Sequence, residues 1–465
     1  MVTRQKPKIG FLGLMQGLYD HSQPELPAYC EAYAKDVINK LSDAMDVDFP
    51  GAAKDRAAIE KYVKHFNDMQ YDGIIIVNLF YSPGMRLVQA FENNRLPVLL
   101  ANIQPLPNVT DDWNWTLLTT NQGIHGIQDT SNVLMRMGLE PVIITDDWKS
   151  GHFHDFVKDW ALAAKTAVKL KKTKVAMFGR MPNMGDILGD DAAFYRVFGV
   201  EVNFESIGDI YRYMEKMTDK EIDAQIAEDK KNFELDPKLP VEAHRYAACM
   251  QLAFEKFMAE KGYDGFSQYF NAYKDDGRFK QIPILGGSSL LAKGYGYSAE
   301  GDTHVLALTL MGHMIAENPH FTEMYSLDFG RDAAMMSHMG EGNWKVARKD
   351  RPVRLIDRPL DIGELGNPPT PKFSAEPGEA TIISLVAVEG EHYRLIVSKG
   401  TNLDTKDIAG IPMNFTFFRP DTGIKKAMDS WLKYGGTHHQ VMFLGDVRNR
   451  FKLLCQILDV EYIEV

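Results

Sequence analysis

Five residues between positions 300 and 439 carry side chains suited to metal chemistry: Glu300, Glu323, His338 and the adjacent pair His438 and His439. Glu300 stands where the glycine-rich "GYGYSAEGD" meets the apolar helical run "HVLALTLMGHMIA". Glu323 lies in "FTEMYSLDF", His338 in "MMSHMGEGN" and the histidine pair in "GGTHHQVM". Two carboxylates with neutral imidazoles form a borderline-hard donor set, which suits Mn²⁺ or a similar divalent ion and leaves positions open for substrate oxygens. Thiolates, which favour zinc, are absent from the set. Each residue also has an ordinary reading: a helix-start carboxylate, a solvated loop acid, a hydrogen-bonded core histidine, a water-exposed His-His loop. Spacing filters the alternatives. His313 follows Glu300 by thirteen residues, roughly 20 Å along a continuous helix, and is excluded from a shared site. His304, one turn from Glu300 at i, i+4, stays as a rival ligand.

Other chemistries leave little trace. The chain has no P-loop, HExxH or GxSxG motif, and "GFLGLMQG" after the first apolar run lacks the spacing of a dinucleotide loop. "GYGYSAEGD" is a weak phosphate-loop candidate. With 52 basic and 63 acidic residues the net charge is −11, which argues against a nucleic-acid partner. No window is apolar enough for a membrane span, and "KIGFLGLM" reads as a buried strand rather than a signal peptide. Cys30, Cys249 and Cys455 are far apart and form no CxxC pair, as expected of reduced thiols in a cytoplasmic protein.

The elements that must position these residues follow from hydrophobic patterning. "KIGFLGLM", "DGIIIVNLF", "LPVLLAN" and "PVIIT" alternate with helical stretches around 26–45, from Met85 and over 121–138, and "HDFVKDWALAAKTAVKL" closes the set. Short apolar runs between amphipathic helices indicate a parallel sheet covered on both faces. "KVAMFGRM" restarts the pattern, which continues through "GVEVNF", helices over 219–235 and 241–261, and "QIPILGG". The Pro/Gly-rich 361–380 excludes a long helix or a central strand. β runs around "EGEH", then "MNFTFF", "HQVMFLG", a helix and "VEYIEV" follow. The expected architecture is α/β: an N-terminal parallel-sheet domain over 1–172, a central one over 173–318, and a mostly antiparallel β-rich domain over 319–465.

Seven segments, in order, resemble the L-arabinose isomerase family within the fucose/arabinose isomerase group. "LMQGLYD" is similar to that family's S-Q-H-L-Y-G, "NLFYSPGMRL" to H-T-F-S-P-A-K-M, "TTNQGIHG" to N-Q-T-A-H-G-G and "MFGRMPNMGD" to FGDNMRE. "AKGYGYSAEGDTH", "HYRLIVS" and "GGTHHQVM" resemble QQGYGFGGEGDWK, YRLLVN and GGAHHTV. The resemblance implies a fucose isomerase-like fold and an aldose–ketose isomerase of carbohydrate metabolism acting on L-arabinose or a related sugar. It puts the metal ligands and acid/base carboxylates at Glu300, Glu323, His338 and His439. Gln16, Leu18, Tyr81, Gln122, His125, Met184 and Phe270 then line the sugar, with His438 beside the metal shell. It further implies a homotrimer or homohexamer in which a neighbouring subunit gives His125, and that the glycines before His438 let the loop approach the metal.

The chain departs from the pattern at Thr303-His304, where the family has Trp-Lys, at "SHMGEGNW", and at Tyr81, usually Phe. It also ends at "VEYIEV", where the family carries a further tail. Two rivals remain: a sugar-binding protein without turnover, and an epimerase, aldolase or isomerase with the same metal centre acting on another sugar, such as a hexose or 6-deoxy sugar.

Overall fold

A computed structural model describes residues 5–360 and 362–465. Met1–Arg4 of the basic start, and Asp361 of the Pro/Gly-rich stretch, lie outside the described residues. Contacts divide the chain into two compact units. One runs to Lys169 and takes in Arg450–Leu458, and the other holds Leu170–Asn449 with Asp459–Val465.

In the first unit five parallel strands lie in the order Asp46–Asp48, Lys8–Leu14, Gly73–Asn78, Val98–Asn102, Val142–Thr145. Every residue of Gly73–Asn78 is buried, as a strand covered on both faces requires. The edge strand Val142–Thr145 alternates buried and exposed instead. The glycines of "NQGIHG" have a packing reason. A Cβ at Gly123 would lie 2.4 Å from the Asn78 carbonyl oxygen, and one at Gly126 would lie 2.2 Å from the Asn78 amide nitrogen. Only a bare backbone lets the helix Gly123–Arg136 approach the central strand this closely.

The second unit begins with a parallel sheet ordered Gly296–Ala299, Gly265–Gln268, Lys174–Phe178, Glu201–Phe204. "QIPILGG" leads not into another strand but into the helix Ile284–Ala292, of which every residue is buried. A short apolar run has the same composition in a core helix as in a core strand, so periodicity does not separate them. "GYGYSAEGD" is a turn, a strand and a second turn rather than a phosphate loop. The first N–H groups of the following helix Thr303–Ile315 are already taken, because Asp302 Oδ1 accepts from His304 and Val305.

The β-rich segment adds what the sequence pattern does not contain, closure. Six strands pair in the cyclic order Gly378–Glu389, His439–Leu444, His320–Asp328, Ala333–Ser337, Phe415–Pro420, His392–Asn402 and back to Gly378–Glu389, all antiparallel. Glu461–Glu464 adds to His392–Asn402 in parallel. Closure removes the exposed edges an open sheet would leave. Its core holds Met336, Ile382, Ile396, Phe418 and Met442. Pro369 and Pro371 sit on the outer strand of a small three-stranded sheet, where a missing N–H is tolerated. Among the described residues no helix is long and apolar enough to cross a membrane.

Candidate metal centre

Register brings three of the five residues together. Glu323 pairs with His439 on one side and with Ser337, the residue before His338, on the other. Directly paired residues of antiparallel strands point to the same face, so Glu323 and His439 share one face of the barrel, and His338 comes just past the end of the strand on the other side of Glu323. The ladder is irregular just past Glu323, between Met324 and Ser326, a distortion that often accompanies functional sites. Glu300 arrives from the other side. It follows the strand Gly296–Ala299 at its carboxyl end, in a left-handed conformation with φ +64°, a state that costs a residue with a Cβ about 1–2 kcal/mol. Its neighbour Gly301 has φ +84° and no room for a Cβ, which would lie 2.5 Å from the Arg180 backbone.

The side chains converge. His439 Nε2 is 3.7 Å from Glu300 Oε2 and 3.5 Å from Glu323 Oε1. His338 Nε2 is 3.9 Å from Glu323 Oε1. His438 Nε2 is 3.8 Å from Glu300 Oε2 and 3.7 Å from Glu323 Oε1. Two three-residue groups with ligand spacing result, Glu300–His438–His439 and Glu323–His338–His439, with His439 shared. Phe321, fully buried, lies against both inner imidazoles, its ring centroid 4.6 Å from His338 and 5.0 Å from His439.

Behind each imidazole stands a carboxylate. His338 Nδ1 meets Glu341 Oε2 at 2.8 Å, His439 Nδ1 meets Asp302 Oδ2 at 2.9 Å, and His438 Nδ1 meets Asp186 Oδ2 at 2.7 Å. All three acids are held below the ordinary carboxylate range, Asp186 at about 2. Burial opposes this in each case, and the facing histidine outweighs it. An ionised carboxylate only accepts, so each Nδ1 donates and each Nε2 is the nitrogen left for the centre. This outer arrangement is the one that orients histidines for metal binding. None of the three acids was picked out by motif. Asp302 reads as a helix cap, Glu341 shares a turn with His338, and Asp186 lies 252 residues from its partner.

The donor set fits a divalent cation. Glu300 Oε2, His338 Nε2 and His439 Nε2 are buried and have no hydrogen-bond partner, a costly state that a bound ion relieves. Without the ion His338 and His438 hold protons. Burial lowers His338, but Glu341 and Glu323 outweigh it and keep His338 at about 9. Burial likewise opposes His438, which Asp186 and Glu300 hold at about 10. Glu300 is lowered against its burial by the imidazoles, His438 foremost.

The rival His304 lies outside both groups, its ring packed against Phe194 and Tyr393. Phe270 lines a small cavity with Glu300, His338 and Met339, and Met184 precedes the short turn Gly185–Ile187 that carries Asp186. In the first unit Gln16 is buried just past the strand Lys8–Leu14, Leu18 is exposed, and Tyr81 follows Gly73–Asn78. Gln122 and His125 are hydrogen-bonded at 3.0 Å.

The glycines of "GGTHH" serve another purpose than the one expected of them. Gly435 has φ +81°, and a Cβ on Gly436 would lie 2.2 Å from Trp431 Nε1. The close approach is to the indole, which donates to the Thr437 carbonyl at 3.3 Å, and not to the metal position.

Fold and centre together define a class: an α/β protein with a closed β-barrel and a carboxylate–imidazole cluster compatible with a divalent ion. The profile of the L-arabinose isomerase central domain matches residues 174–318, and that of the L-arabinose isomerase C-terminal domain matches 318–461. The L-arabinose isomerase of Clostridium beijerinckii is 27% identical, covering 87% of this chain and 83% of its own. L-arabinose isomerase 2 of Bacillus licheniformis is 24% identical over 100% of both chains, and the L-arabinose isomerase of Leuconostoc mesenteroides is 26% identical over 98% of both. The chain belongs to the L-arabinose isomerase family.

Two predictions follow from the geometry. Gly436→Ala lowers stability by about 1–3 kcal/mol through overpacking against Trp431, read by denaturant unfolding, and an unchanged midpoint contradicts the packing argument. Because His338 sits at about 9 without the ion, it is protonated below that pH, and a ligating imidazole must be neutral. Divalent-ion affinity therefore falls as pH drops, by about tenfold per unit for each proton displaced. Calorimetric titration between pH 8 and 6 measures this, and a pH-independent affinity with no proton release contradicts it.

Proposed function

We propose that the chain is an aldose–ketose isomerase interconverting L-arabinose and L-ribulose. The observation that carries the reading is the convergence of Glu300, Glu323, His338 and His439 with each inner imidazole backed by an acid. Family membership supports the reaction class, and relatives bearing the name L-arabinose isomerase support the sugar.

We assign Glu300, Glu323, His338 and His439 to the metal, with Mn²⁺ as the ion the oxygen and imidazole donors favour. When bound, such an ion polarises a carbonyl and stabilises developing negative charge on oxygen. The protein side chains do the proton work. In the aldose-to-ketose direction one of Glu300 and Glu323 takes the proton from C2 and returns it to C1 of the enediol. The other carries the hydroxyl proton from O2 to O1. Two carboxylates in unlike surroundings are suited to such split roles. Met184, Phe270 and His438 are assigned to the sugar, as are Gln16, Leu18, Tyr81, Gln122 and, from a neighbouring subunit, His125. A cytoplasmic homotrimer or homohexamer with domains at 1–172, 173–318 and 319–465 completes the reading.

The test is a coupled ketose assay with Mn²⁺ over pentoses, hexoses and 6-deoxy sugars, run beside Glu300→Gln. Turnover is expected on L-arabinose, with a loss of about 10²–10⁴-fold in the variant. Binding of sugar without turnover by the wild type, or full turnover by Glu300→Gln, would overturn the mechanism.

A further inference from the structure

We propose that Asp186 is a positioning residue for this reaction, holding the His438 ring so that its Nε2 faces Glu300 and Glu323. The inference rests on the isomerase reading. Asp186 Oδ2 accepts two bonds from the same residue, one from the His438 backbone N–H at 2.8 Å and one from its ring Nδ1 at 2.7 Å. Anchoring main chain and ring to a single oxygen fixes both where His438 sits and which way its ring turns, because a ring flip breaks the second bond. Since the carboxylate only accepts, Nδ1 carries a proton whether the ring is charged or neutral. Nε2 is then the nitrogen presented to the carboxylate pair, at 3.8 and 3.7 Å.

Exposure sets His438 apart from the other two imidazoles. Its side chain is 36% exposed, against 2% for His338 and 0% for His439. His438 thus stands on the open side of the centre, where a sugar must enter, and packing does not hold it as it holds the inner pair. A half-exposed ring without a clamp samples several rotamers, and reacting groups tolerate little misplacement. Asp186 is well placed to act as that clamp. It rides on the short turn Gly185–Ile187 beyond the carboxyl end of the strand Lys174–Phe178, in the same parallel sheet that presents Glu300. The sheet therefore delivers one acid to the centre directly and a second that steers a histidine arriving from the barrel.

The test is a double-mutant cycle on the full chain loaded with Mn²⁺: wild type, Asp186→Asn, His438→Gln and the pair. If Asp186 acts through His438, Asp186→Asn lowers kcat/KM by about 10–100-fold and costs nothing further once His438 is gone. Additive losses overturn the proposal, since independent sites add. A second readout does not need turnover. In ¹⁵N-histidine-labelled protein without sugar, Asp186→Asn is expected to shift the ring nitrogens of His438 while the other histidines, reporting an intact fold, stay in place. An unchanged His438 signal overturns the proposal. Absence of turnover in the wild type on every sugar would sink the isomerase reading instead, leaving the ring spectrum to decide on Asp186.

Discussion

Charged and polar groups are packed here where water scarcely reaches. Glu300 and Glu323 are 12% and 17% exposed, and the inner imidazoles are essentially closed off. Removing a carboxylate from water costs several kcal/mol unless partners replace the lost hydration. The chain answers by alternating acid, imidazole and acid outward from the centre: Glu323, His439, Asp302 in one direction and Glu323, His338, Glu341 in another. Glu341 is itself bonded by the buried Tyr297 hydroxyl at 3.0 Å. With the acids satisfied from behind, Glu300 Oε2, His338 Nε2 and His439 Nε2 are left without hydrogen-bond partners. Five carboxylates around three imidazoles leave an excess of negative charge, which favours a cation at that point.

Two unlike pieces of architecture deliver this arrangement. A parallel sheet places functional groups just beyond the carboxyl ends of its strands, and Glu300, Phe270 and the Met184–Asp186 turn all follow neighbouring strands in this way. A closed antiparallel barrel places them by register, so that Glu323 and His439 face each other because their strands are paired residue for residue. A shift of one residue in that pairing would turn Glu323 or His439 to the opposite face. The surrounding glycines keep both pieces in place: Gly301 against the Arg180 backbone and Gly436 against Trp431.

The fold class was legible because helices and strands leave different periods in the hydrophobic pattern, as "DGIIIVNLF" and "HYRLIVS" illustrate. The helical "ILGG" was not, since a run buried on all sides has no polar face to set its period. Ring closure of the barrel depends on which strands pair, a non-local property. The same limit divides the centre. Glu300 and the His438–His439 pair stand in glycine-marked segments that draw attention, and resemblance selects Glu323 and His338 from other acids and histidines. Asp186 lies in an ordinary turn, and only folding brings it to His438. His304, attractive at one helical turn from Glu300, turns instead into an aromatic pocket formed by Phe194 and Tyr393.

The central claim is that carboxylates from the parallel sheet and the barrel share one cation with imidazoles bound through Nε2. Anomalous diffraction from crystals grown with Mn²⁺, recorded at the manganese edge, addresses it most directly. The account predicts one peak at bonding distance from Glu300, Glu323, His338 Nε2 and His439 Nε2, with Asp302 and Glu341 still on the Nδ1 atoms. A peak elsewhere, none at all, or coordination through Nδ1 with the backing acids displaced would contradict it.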